Sequence, residues 1–342
     1  MRKMATIRKI DAINPIEGAD AIEVATVGGW KVVIKKGEFK SGDLAVYCEI
    51  DSWIPTELAP FLSKGKEPRE FEGIKGERLR TVKLRGQLSQ GLLLPIDILP
   101  ADDEFNGAWD EGDDVSEYLN IIKWEMPMNA QLAGVCKGNF PSFIPKTDQE
   151  RVQNLVKEIT TARRGHGPAM QFEVTEKLEG SSMTVYKNGD EFGVCSRNLD
   201  LKEDANNAFW KAAIENDIKT KIMGLPFDVA IQGELVGPGI QGNIYKLDKP
   251  QFFVFDCYNI TEGVYFTPKA RRDFVKSLEL NHVPVLADVY VLQDTVDMLL
   301  VLAGGKSELN KKQEREGIVF KECNGGMSFK AISNNYLLKS KD

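Results

Sequence analysis

The sequence predicts an α+β protein in two parts: a small β-barrel or sandwich over residues 1–130, then a domain of antiparallel sheets with flanking helices over residues 131–342. Three observations lead there. At 342 residues the chain is longer than one hydrophobic core commonly serves, so two are expected. The first part carries short apolar runs separated by turn clusters. The second mixes a helix-period segment with recurring strand-like runs.

In chain order, strands are expected at residues 5–10, 21–27, 30–34 and 44–48, with turns at Asn14-Pro15, Gly28-Gly29 and Ser41-Gly42-Asp43, and a further strand at 91–95. Residues 97–125 hold ten carboxylates against the single cation Lys123 and, with residues 126–145, read as a connector rather than a packed element. A helix is expected over 148–161, capped by Asp148, with Val152, Leu155, Val156 and Ile159 on one face. Strand-like runs follow at 169–175, 183–187, 192–195, 229–232, 252–255 and 317–320.

With 42% hydrophobic and 28% charged residues, no apolar stretch of spanning length and no secretory leader pattern, the composition is that of a soluble cytoplasmic protein with no membrane partner. Five cysteines without CxxC spacing argue for reduced thiols. His166 and His282 are the only histidines, so a metal must sit on oxygen. The net charge of −7 comes from the acidic stretch, whereas residues 64–85 carry eight cations against four glutamates. There the spacing of Arg78 with Arg80, and of Lys83 with Arg85, predicts pairs on one strand face, suited to phosphates or simply solvated.

Five segments of the second part carry reactive groups. Glu176-Lys177-Leu178-Glu179-Gly180 places a lysine after a strand and a glycine three residues on, where the backbone can approach a ligand. Arg197, in Ser196-Arg197-Asn198, suits a phosphate. Glu234 lies among small residues, and Phe253 and Phe255 share a strand face. Glu316-Gly317-Ile318-Val319-Phe320-Lys321, followed by Lys330, supplies a carboxylate and two cations within fifteen positions. Each segment alone has an ordinary structural explanation.

In this order and spacing they resemble the motif set of the covalent nucleotidyltransferases, the superfamily of DNA ligases, RNA ligases and mRNA capping enzymes. Lys177 with Gly180 resembles the nucleophile motif, Glu234 the third motif, Phe253 or Phe255 the adenine-stacking strand, and Glu316 with Lys321 the EG(I/V)VxK motif. Only 12 residues follow Lys330, too few for a C-terminal OB barrel, and the β-rich N-terminal part looks like an OB-type domain. That arrangement resembles nick-sealing RNA ligases with an N-terminal OB domain and a C-terminal adenylyltransferase domain.

The resemblance implies ATP as cofactor and three steps: Lys177 attacks the α-phosphorus, AMP passes to an RNA 5′-phosphate, and a 3′-hydroxyl displaces it. The amine must be neutral to attack, and its reference pKa is about 10.4, so positive charge nearby has to lower it. Mg2+ or Mn2+ held by Glu179, Glu234 and Glu316, directly or through water, would do so. Lys321, Lys330 and Arg197 would neutralise phosphate charge, and Glu176, Gly180, Arg151 and Gln153 would complete the nucleotide site. Family members commonly carry a second lysine two residues after the position of Lys330; here Ile332 stands there. Trp30, Lys31, Lys35, Arg78, Arg80 and Arg85 are the N-terminal candidates for nucleic acid. RNA is the expected partner, as a nicked duplex, free ends or an RNA–DNA hybrid, and the protein is expected to act as a monomer. A DNA ligase, a GTP-using capping-type enzyme and an inactive nucleic-acid-binding protein remain the alternatives.

Overall fold

The computed structural model describes residues 3–99, 109–125, 135–163, 170–292 and 294–339. His166, Ala169 and, within the expected connector, residues 100–108 (with Asp102, Asp103 and Glu104) and 126–134 lie outside the described residues. The chain divides into two compact units, Met1–Met128 and Asn129–Asp342.

In the first unit, alternating apolar residues build three short antiparallel sheets and a hairpin. Ala5–Lys9 and Leu92–Pro95 flank Leu44–Cys48. Ile22–Val27 pairs with both Ala12–Pro15 and Trp30–Lys35. Ser52–Pro55, Ile74–Arg78, Arg69–Phe71 and Ile122–Lys123 form the third sheet. Ala5, Ile7, Val46 and Cys48 are fully buried, and Trp30 packs on Tyr47 with ring centroids 5.8 Å apart.

The acidic stretch is no loose connector over its described part. Val115, Leu119 and Ile121 are buried against Met4, Ile7 and Val46, and the backbone of residues 112–115 bonds to Ala5 and Ile7. The charges mask an apolar spacing that the chain uses for packing. The expected basic pairs do not form either: Arg80 lies beyond its strand, and Arg85 sits in a turn at φ 46°. Arg78 is bound to Asp51 at 2.8 Å, with its guanidinium 3.9 Å from the Trp124 ring.

The second unit has two sheets. One runs, in spatial order, Glu150–Arg151, Ser328–Ile332, Gly317–Glu322, Gln171–Lys177 and Val285–Val291. The helix Val296–Ala303 packs its buried Leu299, Leu300 and Ala303 with Phe172, Phe320 and Phe329 of this sheet. The other runs Cys136–Asn139, Leu199–Leu201, Glu191–Cys195, Ser181–Asn188, Val229–Val236, Gln251–Asn259 and Val264–Tyr265, with Asn281–His282 alongside Gln251–Asn259. Helices Ala208–Glu215, Ile218–Met223 and Pro268–Ser277 share its core through Trp210, Ile222 and Val275. Asn207 caps the first of these helices, accepting from the N–H groups of Phe209 and Trp210.

The helix expected over 148–161 begins only at Val156 and ends at Arg163. Glu150 and Arg151 instead form a parallel pair with Phe329 and Lys330, and residues 152–154 make a 3-10 turn. Long-range pairing overrides the local periodicity, and Asp148 lies eight residues before the helix start at Val156. Among the described residues no helix is long and apolar enough to cross a membrane.

Candidate active site

Lys177 is the last residue of Gln171–Lys177, and four residues later the chain enters the other sheet at Ser181. The site is therefore built where the backbone crosses between the two sheets of this unit. Lys177 stands opposite Gly317, which places Glu316 beside it, and the Lys177 Nζ donates to both Glu316 carboxylate oxygens at 2.7 Å. From the other sheet, Glu234 pairs in register with Ser182. Gly180 packs so closely there that a Cβ would lie 2.4 Å from the Leu235 carbonyl oxygen and 2.6 Å from a Val236 methyl. Below the loop, the Tyr245 hydroxyl accepts from the Glu179 N–H at 2.6 Å.

The electrostatics follow from this crowding. The surrounding protein by itself lowers the Lys177 pKa, but the Glu316 and Glu234 carboxylates outweigh it, and the net shift is upward from 10.5. Glu234 is pushed up to about 8 by burial, with the Glu316 charge adding and Lys177 and Arg197 opposing. Glu176 is 1% exposed; its Oε2 accepts from the Glu308 N–H at 2.7 Å, and burial raises its pKa.

Lys330 and Arg197 meet at Asp148, whose two oxygens lie 3.4 Å from Lys330 Nζ and 3.9 Å from Arg197 Nη2. Arg151 (5% exposed) and Gln153 (2% exposed) come in beside them, since Arg151 is paired with Lys330 in the sheet. Both amide atoms of Gln153 lack a hydrogen-bond partner among the described residues.

Lys321 is drawn elsewhere. Its Nζ sits 2.5 Å from Asp256 and 2.9 Å from the Phe255 carbonyl oxygen, within a buried network in which Arg271 binds Glu173 and approaches Asp256 at 3.7 Å. Burial lowers the Lys321 pKa against the pull of Asp256. Phe253 and Phe255 both join the apolar cluster of Leu178, Val236 and Tyr245; Phe253 is 7% exposed and Phe255 only partly buried. Ile332 is 4% exposed, opposite Gly317.

Among the described residues no three His, Cys, Asp or Glu side chains form a ready metal cage, so Glu179, Glu234 and Glu316 are not a closed ligand set. What the site presents is two carboxyl groups around one lysine, with the Glu234 pKa pushed up by burial and its neighbour's charge. An added cation would relieve that repulsion. This fits a hydrated Mg2+ or Mn2+, which uses one or two carboxylates and keeps several waters. Sequence reasoning missed Asp148 as a site residue and missed Tyr245, Asp256 and Arg271. Of these, Asp256 alone had a signal, standing next to Phe255.

Comparisons with known proteins agree with this geometry. The chain matches family models described as OB-fold domain over residues 4–96 and RNA ligase over residues 170–332. No curated protein sequence matches it. Among solved structures, a Naegleria gruberi RNA ligase variant with AMP and Mn shares 49% identity and a TM-score of 0.90, covering 99% of each chain. A variant with ATP and Mn gives 49% and 0.89 over 100% of both chains, and the enzyme with PPi gives 49% and 0.89 over 98% of both. Identity at that level along the whole length places the chain in the RNA ligase family: it is an ATP-dependent RNA ligase with an N-terminal OB-fold domain and a C-terminal ligase domain.

Proposed function

We propose that this ligase seals nicks in duplex RNA through a covalent Lys177–AMP intermediate formed within residues 131–342, with residues 1–130 as the nucleic-acid-binding domain. The observation that carries this reading is the position of Lys177 at the crossover between sheets, bound by Glu316 at 2.7 Å and faced by Glu234. A lysine so placed has its carboxylate neighbours arranged to surrender it once other positive charge arrives.

In the first step the neutral Lys177 Nζ attacks the α-phosphorus of ATP, the bond to the β-phosphate oxygen breaks, and pyrophosphate departs. The 5′-phosphate of RNA then attacks the same phosphorus, freeing Lys177 and leaving AMP on the RNA end. A 3′-hydroxyl attacks the activated 5′-phosphorus, and AMP leaves with its proton balance completed by solvent. Glu234 and Glu316, with Glu179 through water, would hold the divalent cation. When bound, it supplies charge that lowers the lysine pKa and screens the α-phosphate.

Arg197 and Lys330 are placed to hold phosphate oxygens, with Arg151 and Gln153 at the same edge. Phe255 offers the more open ring for the base, over the buried Phe253, and Glu176, one residue before Lys177, offers a carboxyl group whose Oε1 has no hydrogen-bond partner among the described residues. Lys321 acts through the wall of the pocket: with its charge committed to Asp256, it fixes the Phe255 backbone rather than reaching a phosphate. The protein is read as a monomer.

The test is to incubate wild-type protein and Lys177→Ala with ATP radiolabelled at the α-phosphorus and Mn2+ or Mg2+, then separate the products on a denaturing gel. Label on the wild type alone is expected, and equal label on both removes Lys177 from the reaction. Matched nicks with RNA or DNA on the 3′-hydroxyl side then measure the substrate preference, which equal sealing rates would refute.

A further inference from the structure

Asp148 lies between two proposed phosphate ligands, Lys330 at 3.4 Å and Arg197 at 3.9 Å. Those two cations belong to different sheets of the second unit: Lys330 lies on Ser328–Ile332, and Arg197 in the turn after Glu191–Cys195. The extended segment carrying Asp148 is tied down on both sides by groups other than its own side chain. The Pro145 carbonyl oxygen accepts from Gln232 Nε2 at 2.9 Å, and Lys146 Nζ donates to Asn198, next to Arg197, at 2.8 Å. Gln149 is hydrogen-bonded to Ser328, and Glu150 and Arg151 are in register with Phe329 and Lys330.

The backbone thus delivers the Asp148 carboxylate to a fixed place. The distances to Lys330 and Arg197, 3.4 and 3.9 Å, are longer than the 2.7–2.9 Å of a strong charge-assisted hydrogen bond. An arriving phosphate has more oxygens and more charge to offer the same two cations, and the like-charged carboxylate must then give them up.

We propose that Asp148 is the resident counter-ion of the phosphate site, keeping Arg197 and Lys330 together in the nucleotide-free enzyme and competing with ATP for them. It is a positioning residue that sets nucleotide affinity by competition. Removing its charge while keeping its shape therefore tightens ATP binding, whereas damage to the segment would weaken it. The inference rests on the reading of Lys330 and Arg197 as phosphate ligands, and the two are separable.

The experiment measures the ATP dissociation constant by titration calorimetry in the full chain carrying Lys177→Met, which stops the chemistry. Four proteins are compared: the parent, and the parent with Asp148→Asn, with Lys330→Met, and with both. Asp148→Glu serves as the conservative control. Asp148→Asn is expected to lower the dissociation constant by about fivefold, the low end of the coupling free energies between two binding events. Asp148→Glu is expected to stay near the parent, and the gain should largely vanish when Lys330 is also replaced. An unchanged or weakened affinity for Asp148→Asn overturns the inference. So does a gain of the same size in the Lys330→Met background, which would mark a general charge effect. Undiminished affinity in Lys330→Met alone would instead refute the phosphate-ligand reading.

Discussion

Lys177 and Glu316, 139 residues apart in sequence, form a two-pronged ion pair with both N–O distances at 2.7 Å. In the nucleotide-free enzyme this pair holds the lysine protonated, its pKa above 10.5 even though the surrounding protein favours the neutral amine. Glu316→Gln removes the largest upward pull and leaves the crowding in place. Each unit by which the pKa falls raises the neutral amine about tenfold below the pKa. Lys177 in Glu316→Gln should therefore react faster with a small acylating reagent, located by mass spectrometry, while adenylylation by ATP drops by about a hundredfold or more with the loss of a carboxylate for the cation. A fall in both reactivities would show that the pair does not restrain the lysine.

Gly180 is demanded by space rather than by an unusual φ, because a Cβ would stand 2.4 Å from the Leu235 carbonyl oxygen. Gly180→Ala must push the loop of residues 177–180 away from Glu234, and a displacement of roughly 1 Å at a proposed nucleophile costs about a hundredfold in rate. Adenylylation should fall by about that factor in single-turnover assays. Gly138→Ala, with nothing within 4 Å of its Cβ, should be silent. Wild-type rates in Gly180→Ala would mean that the loop tolerates the shift.

Arg271 is 0% exposed, bound to Glu173, and 3.7 Å from Asp256, which holds Lys321 at 2.5 Å. Replacing it with methionine takes the closest partner from the fully buried Glu173, which keeps Arg272 at 3.3 Å, and removes one cation from Asp256, which keeps Lys321. Breaking a buried pair costs about 3–5 kcal/mol. Urea denaturation of Arg271→Met should show a loss of that size. The exposed helix pair of Lys269 and Asp273 should contribute nothing measurable to the same curve when Lys269 is replaced by methionine. A loss below about 1 kcal/mol for Arg271→Met would mean that the network rearranges freely.

The strands around the site were readable because they combine apolar alternation with a reactive residue at an end, as at Lys177 and Glu234. Order and spacing then joined segments that are individually ordinary. What stayed hidden depends on contacts distant in sequence. Asp148 looked like a helix cap because Val152, Leu155, Val156 and Ile159 have helical spacing, yet the strand 179 residues away claims Glu150 and Arg151. Arg271, in a helix of largely polar sequence, gave no sign that it would be fully buried against Glu173. Val115, Leu119 and Ile121 were obscured by the carboxylates around them. Lys321 was recognisable as a motif lysine, but its commitment to Asp256 is set by how Gly317–Glu322 and Gln251–Asn259 meet.

His282 closes the same buried network, accepting from Arg271 Nε at 3.0 Å through Nε2 while its Nδ1 bonds the Val283 carbonyl oxygen at 2.6 Å. Nδ1 is therefore the protonated nitrogen of a neutral ring. Burial first, and the Arg271 charge second, lower its pKa from 6.5 to about 4, against the upward pull of the Val283 bond. Between these values the unfolded chain binds a proton that the folded protein refuses, so stability rises with pH across the window and is lost as pH falls from about 6.5 toward 4. From pH 6.5 to 5 that loss amounts to about 1–2 kcal/mol. His282→Gln keeps an acceptor for Arg271 and cannot titrate, so its stability, measured by urea unfolding, should change less over this interval by that amount. Parallel pH curves for the two proteins would mean that the ring is not held neutral, and that Arg271 does not depend on it as an acceptor.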